Sequence, residues 1–441
     1  MSSGMDGGAV ALRELALNGL KHGDVALAEQ YFARLLELLP HDAEALQFVA
    51  SRHLQRGDAL RGIALLLQAA QVQPGNPEVL HQLGAAQMAA GDWRGAVSSL
   101  RHCVQLAPQM FVARLRLGIS LEQLGESHGA LLAYFGALNT AQGMGRWMND
   151  ATTAPGLQEA VKHAIRVIDV GRRGAFDAVL APLRERYGAA ELARVEQCLS
   201  IYLGEQPAPL PDPRQKPKFL YFPGIPSQPY YPTARFPWQA ELAAATELVR
   251  EELRAVLAEE QPLLPFLGEQ SPESLKGYLQ GSGAQAASWD AFFFYRHGDR
   301  FDDNCARCPR TSALLDSLPL VRIRDHAPET LFSVLSPGTH ILPHRGVTNT
   351  RLVTHLPLIV PSECALNVGG EIHEWQEGRC VSFDDTFEHE AWNRSNETRV
   401  VMILDSWNPD LTDVERAAVT DLVEAIGDFN RASEVAVPGL A

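Results

Sequence analysis

The chain has 441 residues, a formal charge of −15 and 46% hydrophobic residues, so it is too long for one ordinary core and predicts two or three domains. The acidic balance argues against general nucleic-acid binding, which needs excess Lys and Arg facing phosphate. No run of about 18 uncharged apolar residues and no basic-then-apolar leader occurs, so neither a membrane span nor a secretory signal is expected, and the expected location is the cytoplasm.

The N-terminal part repeats. Gly23-Asp24, Gly57-Asp58, Gly91-Asp92 and Gly125-Glu126 fall 34 residues apart, and Pro40, Pro74 and Pro108 keep the same step. A constant period of that size predicts a solenoid. Within each unit apolar and small residues recur at helical spacing, as in Leu80, Leu83, Gly84, then Ala96, Leu100 and Cys103. Glycine suits a left-handed C-cap, the following Asp can accept from the next helix's free N–H groups, and proline stops the second helix. Each unit therefore reads as a helical hairpin. The repeats, over residues 9–142, resemble tetratricopeptide repeats, although the aromatic common early in that motif is replaced by Leu12, Leu46, Leu80 and Arg114. That resemblance implies a protein or peptide partner; the blander reading is a stabilising arm.

Residues 143–203 keep helical periodicity without the repeat signature and read as a helical cap or connector. Pro207, Pro209, Pro211, Pro213 and Pro217 then crowd one short stretch, which predicts an extended linker over 204–218 and a second domain over 219–430. An amphipathic helix is expected near Trp238 to Glu259. After it, AFFFYRHG, LFSVLSPG, RLVTHLPLIV, CALNVGG, EIHEW, CVSFDD and TRVVMILDSW are short strands at the spacing of an all-β sandwich or barrel. Thr412 and Glu415 form a capping box that opens a last helix.

Six cysteines are sparse for this length and make no disulfide framework. Cys305 and Cys308 have a suggestive spacing but lack the second pair of a zinc ribbon, and read as loop packing or an incidental disulfide.

The chemistry lies between Ser333 and Trp407. His344 and His389 stand on well-separated β-rich segments, and neutral imidazoles from two strands define a metal site that a single helix could not. Arg399 follows His389 by ten residues inside an apolar strand, where a guanidinium calls for a carboxylate beside it. Non-haem iron sites add a carboxylate two residues after the first histidine. That position is Gly346, which leaves three readings: no metal, water in the vacant position, or a halide there. His340, four residues before His344, would point the same way on a strand and stand behind the ligands.

The segments FSVLSPGTHILPHRGVTNTRLVTHLPLIVP, WQEGRCVSFDDTFEHEAWNRS and TRVVMILDSWNPDLT resemble the aspartyl/asparaginyl β-hydroxylase family of Fe(II)- and 2-oxoglutarate-dependent oxygenases, over most of residues 219–410. That family also has glycine at the carboxylate position. The resemblance implies a jelly-roll (double-stranded β-helix) domain after the α-helical solenoid, and a dioxygenase with Fe(II) and 2-oxoglutarate as cofactors. It implies His344 and His389 as metal ligands, Arg399 and Ser333 at the distal carboxylate of 2-oxoglutarate, and His355 at its chelating end. Asp385 would hydrogen-bond to metal-bound water. In the family, arginines in an R-L-R-x-H motif bind an acidic side chain of the substrate. Here the run is Arg351-Leu352-Val353-Thr354-His355, so Arg351 matches and Val353 replaces the second cation.

The reading is then hydroxylation of the β-carbon of an Asp/Asn-like residue in a protein or peptide captured by the repeats. The alternatives are a 2-oxoglutarate-dependent halogenase, a lipid acyl-chain hydroxylase, and a non-catalytic scaffold.

Overall fold

A computed structural model describes residues 2–259, 263–268, 274, 276–282 and 286–434. In it the repeat grammar becomes paired helices: α1 (Ser2–Lys21), α2 (Val25–Leu38), α3 (Ala43–Gln55), α4 (Ala59–Val72), α5 (Pro77–Ala89), α6 (Trp93–Leu106), α7 (Phe111–Gln123) and α8 (Ser127–Gly143). Gly23, Gly57, Gly91 and Gly125 take φ between 74° and 82°, the left-handed turn that ends each first helix. The carboxylates of Asp24, Asp58 and Asp92 accept from the N–H groups of Leu27, Arg61 and Gly95 and open the second. A Cβ on Gly84 would press into Leu100, so that glycine sets the close approach of α5 and α6. The fourth unit departs from the pattern for a reason the structure supplies. The Arg114 guanidinium is buried and donates to the Ser433 carbonyl at 2.7 Å, while Phe135 packs on Phe429 at 5.1 Å.

Two compact units divide the chain, Met1–Ala175 with Asp428–Ala441, and Phe176–Gly427. The expected boundary at 204–218 differs from this division. The proline-rich stretch belongs to the second unit, where Gln215 is buried and its amide donates to Asp384 Oδ2 at 2.7 Å. Prolines interrupt regular pairing but leave the intervening N–H groups free: Lys216 donates to the Thr386 carbonyl at 3.0 Å and Lys218 to that of Gly346 at 3.2 Å.

The second unit is built on two antiparallel sheets. Its strands are β1 (Tyr230–Tyr231), β2 (Leu264–Pro265), β3 (Leu279–Gly281), β4 (Trp289–Arg296), β5 (Asp299–Arg300), β6 (Thr330–Leu335), β7 (Thr339–His344), β8 (Arg351–Ile359), β9 (Cys364–Val368), β10 (Glu371–Glu374), β11 (Val381–Phe383), β12 (His389–Asn393) and β13 (Arg399–Trp407). Among the described residues one sheet runs β1-β11-β8-β13-β6-β4-β2, with β5 on β4, and the other β10-β9-β12-β7-β3. From β6 onward the chain keeps passing from one sheet to the other, with β9 and β10 consecutive in the smaller one; that is the winding of a double-stranded β-helix.

Period-two alternation sorts β13. Val400, Met402 and Leu404 join Phe332 and Leu356 under Val249 and Leu253 of the helix Thr246–Ala258, whereas Val401 turns toward Ile341, Leu366 and Ala391 of the smaller sheet. The inner face of β13 therefore carries Arg399, Val401, Ile403 and Asp405 in line. The expected amphipathic helix is two helices, Gln239–Ala244 and Thr246–Ala258. Cys305 and Cys308 are free thiols buried in the core under the larger sheet. Thr412 and Glu415 make the reciprocal capping bonds at 2.9 and 3.2 Å.

Candidate active site

His344 ends β7 and His389 begins β12, and the ladder sets them directly opposite one another. Their rings lie 4.1 Å apart, centroid to centroid, at 54°. Nδ1 of His344 lies 2.9 Å from the Leu342 carbonyl and Nδ1 of His389 3.1 Å from that of Phe387. Because a carbonyl only accepts, each Nδ1 must carry the proton, which leaves each Nε2 with a lone pair. Burial pushes both imidazole pKa values down, that of His389 to about 3 with the His344 ring adding to the effect, so both rings are neutral.

Between the sheets lies a cavity of about 230 Å³ lined by both histidines and by Ser333, Val353, His355, Asp385 and Arg399, among others. At one end stands Arg399. It is fully buried, its Nη1 reaches the carbonyl and hydroxyl oxygens of Ser333 at 3.3 Å, and its guanidinium carbon sits 4.9 Å over the Trp375 ring. Its Nε has no hydrogen-bond partner, and among the described residues no carboxylate pairs with it. Burial pushes its pKa down to about 10. A buried cation in that state costs several kcal/mol; an anion entering the cavity would relieve it. Trp289 Nε1 donates to Ser333 Oγ at 2.9 Å and holds the hydroxyl there. His355, buried beside Trp375 and Phe383, is neutral for the same reason as the other two rings, with Arg399 reinforcing the shift.

Gly346 has a reason to be glycine. A Cβ there would coincide with the carboxyl of Asp385, and the Gly346 N–H donates to the Asp385 carbonyl at 2.6 Å. The Asp385 side chain thus fills the direction a carboxylate at 346 would take. It is buried, its Oδ1 is unpartnered, and burial raises its pKa to about 7 against the pull of Arg351.

Two sequence-predicted residues stand differently from expectation, His340 and Arg351. His340 does not line the cavity; its Nε2 lies 2.7 Å from Glu390 and its ring meets Trp392 edge-on. The pairing of β7 with β12 slips by one residue between His389 and Ala391, so Ile341 and His344 share the inner face and His340 turns away. Arg351 lines the cavity, but its guanidinium is paired with Asp405. Val353 contributes only an apolar wall.

Sequence reasoning missed Asp405 and Glu329, which line the same end of the cavity. Asp405 was within reach, since it lies on the same strand face as Arg399 by period two. Nothing local marks Glu329. Groups of three or more His, Cys, Asp or Glu residues arranged to hold a metal do not occur among the described residues.

A double-stranded β-helix with this cavity between its sheets, in a chain whose relatives are hydroxylases, defines a β-hydroxylase-type protein. The aspartyl/asparaginyl β-hydroxylase family model matches residues 243–409. The rat aspartate β-hydroxylase domain-containing protein 2 is 34% identical over 250 residues, covering 55% of this chain and 68% of its own length. The ornithine lipid ester-linked acyl 2-hydroxylase of Rhizobium tropici is 34% identical over 184 residues, 41% of this chain and 61% of its own. The human aspartyl/asparaginyl β-hydroxylase is 33% identical over 201 residues, 44% of this chain but 25% of its own. The chain belongs to the aspartyl/asparaginyl β-hydroxylase family.

Proposed function

We propose that the protein is an Fe(II)- and 2-oxoglutarate-dependent dioxygenase that hydroxylates a C–H bond in a protein or peptide, at the β-carbon of an Asp/Asn-like residue or its chemical equivalent. The observation that carries this reading is the pair of neutral imidazoles, both Nε2 atoms unprotonated, facing a cavity whose far end holds a buried arginine without a carboxylate.

His344 and His389 would hold the metal through Nε2. Their Nδ1–H groups, locked on backbone carbonyls, keep tautomer and ring orientation fixed. Arg399 and Ser333 would take the distal carboxylate of 2-oxoglutarate, and neutral His355 would donate to the end that chelates. When bound, Fe(II) and 2-oxoglutarate together with O₂ supply an oxidant able to replace C–H by C–OH. The chain positions the target carbon, and the apolar walls of Leu331, Val353, Phe383 and Ile403 keep water from competing.

Asp385 would accept a hydrogen bond from metal-bound water. An anion in the same place would face that carboxyl at close range, so water is favoured over chloride and hydroxylation over halogenation. The helical repeats would recruit the macromolecular substrate. An acyl chain, the target named for the Rhizobium relative, is the second reading, supported by the apolar walls. Among the described residues no helix is long and apolar enough to cross a membrane.

The test is anaerobic addition of Fe(II) and 2-oxoglutarate to the pure protein. A visible charge-transfer band of the chelate, lost in His344→Ala, is the expected result. A colourless wild type speaks against the proposal.

A further inference from the structure

The end of the cavity opposite Arg399 is built from charge of the other sign. Arg351 is largely buried and is paired with Asp405, and Asp385 and Glu329 also act on its charge. Three carboxyl groups therefore line the cavity beside one guanidinium. Asp405 is further tied by the Glu329 N–H, which donates to its Oδ2 at 2.9 Å. The Glu329 side chain lines the cavity; its Oε1 accepts the His297 backbone N–H at 2.9 Å and lies 2.9 Å from His297 Nδ1, and its Oε2 has no protein donor among the described residues. Asp385 Oδ1, on a side chain buried to within 6% of full enclosure, is also unpartnered. Acceptors are in surplus here, and the Arg351 guanidinium is spoken for. Val353 stands where a second cation would have been and adds only methyl groups.

We infer that this end of the cavity selects a target group that donates hydrogen bonds, a carboxamide or an ammonium, over one that carries a carboxylate, with Glu329 as the specificity-determining residue. A carboxylate entering here would be a fourth acid beside one guanidinium, whereas an N–H group meets open oxygens on Glu329 and Asp385. The inference rests on the proposed oxygenase reading for the claim that this is the substrate's end. It narrows the Asp/Asn-like target to the asparagine side of that pair, or to an amine.

The experiment is a calorimetric titration of the full-length protein, saturated with 2-oxoglutarate so that the Arg399 end is not on offer. The probes are N-acetyl-asparaginamide, the α-amide of N-acetyl-aspartate and N-acetyl-lysinamide. The asparagine or the lysine probe should bind at least about ten-fold more tightly than the aspartate probe. Which of the two binds better tells amide from ammonium. Glu329→Gln, which keeps an oxygen for the His297 N–H, should shrink the gap to about three-fold or less, and Val353→Arg should reverse it. Equal or tighter binding of the aspartate probe to wild type, no binding of any probe, or an unchanged ratio in Glu329→Gln overturns the inference. If 2-oxoglutarate itself does not bind, the oxygenase reading fails, and the same three probes titrated into Arg399→Met, where no free guanidinium competes for the aspartate probe, still read the ratio.

Discussion

Two arginines line opposite ends of one cavity and differ in what balances them. Arg351 is held by Asp405, with Asp385 and Glu329 adding to the field; Arg399 has Ser333 and the Trp375 ring, and its Nε is left over. Folding completes the first and leaves the second unfinished. A buried charge without a partner is costly enough that its persistence marks where a ligand belongs, whereas a compensated one marks structure or selectivity.

The sharpest way to break this contrast is to replace each arginine by an apolar side chain of similar length. Arg351→Met strands the buried Asp405 carboxylate and should destabilise the second unit by about 3–5 kcal/mol. Arg399→Met removes a cation that has no acid, so it should cost little or even stabilise the protein. Urea unfolding of both variants checks this, and equal losses would erase the distinction.

Asp384 extends the contrast to a buried carboxyl that has donors but no cation. Burial raises its pKa to about 6 from 3.8, although Thr386 and Gln215 donate to it and pull the other way. The folded pKa lies above the unfolded one, so its favourable contribution is full below about pH 4 and is lost as pH rises through 6. Wild type should therefore lose about 2 kcal/mol relative to Asp384→Asn between pH 4 and pH 7. Parallel stability curves for the two proteins would count against that assignment.

Gly346→Ala gives the smallest effect. Its Cβ would displace the Asp385 carboxyl, for about 1–3 kcal/mol of overpacking. Thermal unfolding should show a lower transition, and an unshifted one would mean that Asp385 does not hold that space.

Much of this was legible before any coordinates. A 34-residue period is local information, repeated, and it specified hairpins whose glycines and aspartates cap the helices as read. His344, His389 and Arg399 stood out because two imidazoles and a guanidinium among apolar strand residues are hard to explain otherwise. What was hidden depends on register between distant strands. The slip between β7 and β12 turned His340 outward, although simple alternation placed it beside His344. The meeting of Asp385 with Gly346, and of Glu329 with Asp405 and Arg351, is created only when the strands and the loops that flank them come together. The proline-rich stretch looked like a spacer because proline content reports lost ladder bonds, not which remaining N–H groups find the second unit.

At the centre of the proposed chemistry stands an uncompensated Arg399 across the cavity from two neutral imidazoles. Calorimetric titration of 2-oxoglutarate into the anaerobic protein, with and without one equivalent of Fe(II), tests it most directly. One site that tightens when iron is present, and that weakens about 100-fold or more in Arg399→Met, is the predicted result. Binding that ignores iron, or that survives the loss of Arg399, would contradict it.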